Sequence, residues 1–222
     1  MEVNMKERPI LFSGEMVRAI LDGRKTQTRM VVKPQPSDCI KVEWVEISPK
    51  KSRNSYAIAT DHSTGYWMPT LDGISQSPLP ILCPYGVPGD RLWVRETLSK
   101  GMEVCTRPKI LYEATRTAMA YSNDKGIPEG WLGFVPWRWK KDKLPSIHMP
   151  RWASRITLEI VNVRVERVQE ITAKDEEAEG APTILDNYPH QAFKHLWDSI
   201  NAKRGHGWDA NPWVWVIEFK KL

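Results

Sequence analysis

Hydrophobic residues along this chain recur at two periods, and the switches between them set the expected elements. Arg8 to Phe12 reads as a short strand. From Ser13 to Asp22 the period lengthens. Met16, Val17, Ile20 and Leu21 fall at i, i+1, i+4 and i+5, the stripe of an amphipathic helix, and Gly23 supplies its stop. Met30-Val31-Val32 predicts a strand ended by Pro34 and Pro36, and Lys41 to Val45 predicts another, whereas 61–70 and 75–84 read as loops. Lys109 to Glu113 and Ala118 to Tyr121 suggest a strand pair. Phe193, Leu196, Trp197 and Ile200 mark one face of a further helix, and Trp213 to Phe219 is apolar on both faces, as a central strand should be.

Two places break the simple alternation. In Leu92 to Thr97 the period of two puts Leu92, Val94 and Glu96 on one face, so a carboxylate shares the inward side and needs a partner. Either Glu96 lines a cleft opposite Lys25 or Arg29, or it ends the strand and reaches water. From Arg155 the apolar set runs Ile156, Leu158, Ile160 and then shifts parity to Val161, Val163 and Val165, which predicts a bulge near Ile160-Val161. Beyond this strand, Thr172 is placed to cap a short helix running through Glu179, with Gly180 as its stop.

At 222 residues the chain can bury about 70% of its unfolded surface. No apolar run approaches the length of a membrane span, and Met1 to Arg8 carries charge where a secretory leader needs an apolar stretch, so a cytoplasmic protein with no membrane partner is expected. Cys39, Cys83 and Cys105 are odd in number and widely spaced, which suits reduced structural thiols better than disulfides or a zinc site. The excess of 32 Lys and Arg over 27 Asp and Glu gives +5, mild encouragement for a polyanionic partner. Eleven tryptophans add to this, because indoles stack on unpaired bases as readily as they fill cores. In Trp137-Arg138-Trp139-Lys140-Lys141 indoles and cations interleave, as in a groove that tracks a nucleic-acid strand or in a loop docked by its tryptophans.

Candidate chemistry concentrates in Gly23-Arg24-Lys25-Thr26-Gln27-Thr28-Arg29, where an amine, two hydroxyls and two guanidinium groups follow a helix end. A second group, Pro145 to Arg155, holds His148, Arg151, Trp152 and Arg155 between and beyond two prolines, a set able to stack on a base and hydrogen-bond a phosphate.

The spacing Gly23, Lys25, Thr28 and Arg29 after a short helix resembles the signature of the ASCH family, a branch of the PUA-like β-barrels. Pro88-Gly89-Asp90-Arg91-Leu92-Trp93-Val94 resembles that family's turn into a barrel strand, and Val216 to Phe219 its closing strand. The resemblance covers roughly 8–98 and 150–222, and it implies a single α+β domain: a PUA-like barrel with flanking helices and an inserted segment at 99–149. The whole chain is similar to the longer phage and prophage ASCH proteins. In the small ASCH amidohydrolases, which remove the acyl group from N4-acetylcytidine, the resemblance implies a catalytic lysine, threonine and glutamate. The first two fall on Lys25 and Thr28, and Ile171-Thr172-x-Lys174-x-x-Glu177-x-Glu179 carries the third onto Glu179. Arg24, Thr26, Arg29, Glu96, His148, Arg151, Trp152 and Arg155 are then the expected substrate-binding residues, with neither metal nor cofactor implied.

That mechanism would have Thr28 attack the acyl carbonyl, Lys25 act as its base and Glu179 protonate the departing amine. A lysine can serve as a base only if burial and neighbouring cations disfavour its charged form. A strand starting at Lys25 would put Lys25 and Thr28 on opposite faces, so the two meet only if the chain turns at Lys25-Thr26. Three functions are in play: a hydrolase acting on a nucleoside or RNA, a module that binds RNA or a modified base without chemistry, and a ribonuclease using the same residues on a phosphodiester.

Overall fold

A computed structural model describes residues 5–36, 41–45, 56–60, 81–104, 107–119, 138–180 and 190–222. The chain order is β1 (Glu7–Leu11), α1 (Gly14–Leu21), β2 (Gln27–Val31), β3 (Lys41–Val45), β4 (Tyr56–Thr60), β5 (Ile81–Leu82), β6 (Arg91–Arg95), β7 (Leu98–Val104), β8 (Arg107–Tyr112) and β9 (Thr117–Ala118). It continues with β10 (Lys143–Leu144), β11 (Thr157–Arg167), α2 (Ala173–Ala178), α3 (Gln191–Asn201) and β12 (Trp213–Lys221). The fold is mixed α and β. Among the described residues no helix is long and apolar enough to cross a membrane.

The chain divides into two compact units. One comprises Met1–Lys6, Arg24–Arg91 and Glu159–Lys220, and the other Glu7–Gly23, Leu92–Leu158 and Lys221–Leu222. In the first, β11, β12 and β2 are successive neighbours, and β12 pairs antiparallel with β2, setting Val216 opposite Arg29, Ile217 opposite Thr28 and Glu218 opposite Gln27. Phe193 and Trp197 of α3 pack with Val168, Ile171, Val214 and Val216 to form its core. Each large apolar side chain buried this way contributes about 1.5–3 kcal/mol. Strands β3, β4 and β5 form a small antiparallel sheet of their own. The segment 75–84, expected as a loop, therefore contains part of a strand at Ile81–Leu82, whose two residues are too few for periodicity to register.

In the second unit α1 follows its sequence pattern closely. Ser13 caps it by accepting from the Met16 N–H, Val17, Ala19 and Ile20 are buried, and Gly23 takes φ 75° past its end. The four-stranded sheet β10-β7-β8-β9 comes from the 99–149 segment together with Leu98, so the expected insertion boundary falls inside β7. Strand β7 has no counterpart in the expected elements. Its register against β8 shifts between Lys100 and Glu103, and a Cβ added at Gly101 would meet Leu111 Cγ at 2.8 Å. A bulge and a glycine pressed against a neighbour erase the alternation that would announce a strand. Leu98, Ile110, Tyr112, Met119, Leu144 and Met149 form this unit's core, with Trp139 packed on it.

Strand β11 does switch the parity of its buried positions, from Leu158 and Ile160 to Val163, but Val161 is 51% exposed rather than inward. The exposed step is Val161-Asn162, one residue later than expected. Residues 61–70, 75–80 and 120–121, together with Trp131, Trp137, Cys39 and Cys105, lie outside the described residues. Cys83 is buried.

Candidate functional site

Lys25 precedes β2 rather than joining it. The main chain of the next residue fixes its place: the Thr26 N–H donates to the Ala178 carbonyl at 2.8 Å, and the Thr26 carbonyl accepts from the Phe219 N–H at 2.8 Å. Residues 24–26 form an irregular step from Gly23 into Gln27. It brings the Lys25 amine to the C-terminal end of α2, where Nζ donates to the Glu179 carbonyl and to its carboxylate Oε2, each at 2.8 Å.

Glu179 is the C-cap of α2, a helix that follows its sequence signals. Thr172 accepts from the Asp175 N–H and Gly180 turns left-handed at φ 72°. A carboxylate at a helix C-terminus faces the negative end of the macrodipole. Here one ammonium offsets both the terminal carbonyl and the carboxylate. The Lys25 side chain is fully buried and that of Glu179 is 4% exposed, so the pair is held away from water.

Arg29 extends the pair into a cluster. Its guanidinium reaches Glu179 Oε1 at 3.4 Å, Glu166 Oε2 at 3.1 Å and Asp175 Oδ2 at 3.4 Å, with the Phe193 ring centroid 5.9 Å away. Arg164 joins Glu166 and Glu218 by short ion pairs and Asp175 at 3.1 Å. Burial pushes the Asp175 carboxyl up, but the Thr172 hydroxyl and N–H, with Arg29 and Arg164 beside it, outweigh that and hold it down at about 2. Burial pulls the Arg164 guanidinium down, and the surrounding carboxylates, Glu166 foremost, more than reverse it. Two buried donors in the cluster's strand, Gln27 Nε2 and Arg29 Nε, have no acceptor among the described residues.

Of the expected catalytic set, Lys25 and Glu179 meet directly across 154 positions of sequence. Thr28 is buried at 4% exposure but carries no side-chain hydrogen bond to a described residue, and alternation along β2 turns it to the face opposite Arg29. Arg24 and Thr26 are exposed. Sequence reasoning missed Arg164, Glu166, Asp175 and Glu218. A signal existed in Val163-Arg164-Val165-Glu166, where period two puts both charges on one face of β11.

The remaining expected residues sit in the second unit. Glu96 is 1% exposed, so it does not end its strand in water, and its partner is Arg155. Nε and Nη2 of that guanidinium donate to its two oxygens at 2.8 and 2.9 Å. Arg155 also lies 3.9 Å over the Tyr112 ring, and Tyr112 donates its hydroxyl to the Ala153 carbonyl at 3.0 Å. Burial pushes the Tyr112 hydroxyl up to about 12; Arg155 lowers it somewhat and Glu96 raises it. Arg151 is exposed and pairs with Glu7 at 3.0 Å. Trp152 is 53% exposed, and His148 is an exposed residue closing a 3-10 turn.

No family model and no curated protein matches this chain. Among solved structures, the chain is similar to an Enterococcus faecalis V583 protein described as a DUF984 member, with 8% identity, a TM-score of 0.39, and coverage of 100% of this chain and 83% of the other.

Proposed function

We propose that this chain is a nucleoside- or RNA-directed protein of the ASCH branch of PUA-like barrels, with an amidohydrolase site at Lys25 and Glu179. What carries the reading is the buried contact of 2.8 Å between the Lys25 amine and Glu179 Oε2, two groups that the family resemblance independently pairs. A buried amine and carboxylate 2.8 Å apart place paired donor and acceptor groups where a proton could be passed.

The acyl-threonine route needs Thr28 beside that pair, and its face of β2 does not favour this. A single displacement fits the cluster better. Water adds to the acyl carbonyl while Glu179 takes its proton. The C–N bond then breaks, the proton passes to the departing amine, and a carboxylic acid remains. Lys25 and Arg29 hold the carboxylate in place.

Incubating the purified chain with N4-acetylcytidine and following cytidine release by chromatography tests this. The intact protein turns the substrate over, Glu179→Gln slows it by roughly 10²- to 10⁴-fold, and Thr28→Val stays close to the intact protein. No turnover by the intact protein overturns the hydrolase reading, and a Thr28→Val loss equal to that of Glu179→Gln restores the acyl-threonine route.

One observation favours a second reading, a binding module without chemistry. The cluster sets four carboxylates, Glu166, Asp175, Glu179 and Glu218, against three cations, Lys25, Arg29 and Arg164. Cations so fully neutralised have little left for a phosphodiester, which also argues against the ribonuclease alternative.

A further inference from the structure

In the second unit, two arginines gather on one indole and serve no step assigned to Lys25 and Glu179. Period two along β6 turns Trp93 and Arg95 to the face opposite the buried Leu92 and Val94. Trp93 is nevertheless only 7% exposed, and two guanidinium groups lie against its ring: Arg95 at 4.7 Å from the centroid and Arg151 at 5.7 Å. Their charges are unequally met. Arg151 donates through Nε and Nη2 to a single oxygen of Glu7, at 3.1 and 3.0 Å, in an exposed pair that another anion can replace. Arg95 donates Nη1 to the Ile147 carbonyl at 3.1 Å and meets no carboxylate among the described residues. Its Nε is a buried donor with no acceptor among them. Two like charges on one ring against a single carboxylate leave a positive surface, and planar forks held by stacking match phosphate oxygens. Trp152 follows Arg151 in a 3-10 turn seated by the buried Ala153, and it is 53% exposed. An open indole one residue, about 3.8 Å along the backbone, from a guanidinium suits the base and the phosphate of one nucleotide.

We propose that this surface grips single-stranded RNA, with Arg95 and Arg151 each taking a backbone phosphate and a base stacked on Trp152. The grip does not draw on the reaction assigned to Lys25 and Glu179, and it persists if that assignment fails. A nucleic acid offers a flat ring for the indole as well as oxygens for the forks, whereas an acidic polypeptide offers the oxygens alone. A nucleoside monophosphate offers ring and oxygens but only one phosphate for two arginines.

Fluorescence anisotropy of an end-labelled decauridylate RNA, titrated with the full chain at several salt concentrations, reads the interaction. Uridine monophosphate and a ten-residue polyglutamate serve as competitors, and neither displaces the label as well as the unlabelled RNA. Arg151→Gln weakens binding and flattens the log-log salt slope by about 0.7, the share of one phosphate on a single strand. Trp152→Ala weakens it roughly 5- to 150-fold with the slope kept, and Trp152→Phe recovers most of that. Arg95→Lys retains the charge and loses the fork, so affinity falls while the slope holds. Arg151 and Trp152 are exposed, and thermal unfolding of their variants that matches the intact chain keeps folding out of the comparison. Unchanged affinity in either Arg151→Gln or Trp152→Ala overturns the proposal. So does an intact chain that fails to bind the RNA, or one from which polyglutamate or the monophosphate displaces it as well as RNA does.

Discussion

The two buried acids that sequence singled out, Glu96 and Glu179, ended in opposite kinds of company. Glu96 and Arg155 spend both oxygens and two guanidinium nitrogens on each other, in one closed bidentate pair seated on Tyr112. Glu179 shares its oxygens between Lys25 and Arg29, and Arg29 is in turn divided among three carboxylates. A closed pair holds a fold together and has little capacity left for a reactant. A divided cluster that also keeps two buried donors without acceptors among the described residues retains hydrogen-bonding capacity, each donor so left costing about 1–3 kcal/mol.

The contrast can be broken by measurement. Arg155→Met strands Glu96, at 1% exposure and with no second cation among the described residues, and should cost about 3–5 kcal/mol in urea unfolding. Lys25→Met leaves Glu179 with Arg29 and should cost less, about 1–3 kcal/mol. A Lys25→Met variant less stable than Arg155→Met would reverse the reading of which site is redundant.

Acid sharpens the same comparison. Asp175 titrates at about 2 in the folded chain against an ordinary 3.8, so its contribution is complete above pH 4 and fades as pH falls from about 4 to 2. Circular dichroism across that window should show the loss of stability, with Asp175→Asn flattening the dependence. The smallest effect belongs to the exposed Arg151–Glu7 pair, where Arg151→Ala should change stability by about 0–1 kcal/mol; a larger change would mean that surface pairs in this chain do more than their exposure allows.

Local physics made much of this legible. The caps of α1 and α2, the left-handed glycines at 23 and 180 and the apolar run of β12 were all visible as patterns within a few residues. Lys25 and Glu179 were readable as a pair only through motif spacing, since no periodicity links positions so far apart. What stayed hidden depended on tertiary neighbours. Strand β7 was masked by its bulge and Gly101, β2 begins at Gln27 rather than Met30 because it pairs with β12, and Glu96 chose an arginine 59 residues away. The carboxylates around Arg29 were missed for the same reason, because charges on a strand look solvated until their facing element is known.

The backbone stitch at Thr26 separates what must stay from what is at liberty to vary. Since amide and carbonyl groups anchor this step, the side chains at positions 24 and 26 are exposed and excused from holding the amine between them. Libraries randomised at those two positions should keep the Lys25–Glu179 contact constant while its surroundings change, since that contact is set by the main chain and not by its neighbours' side chains.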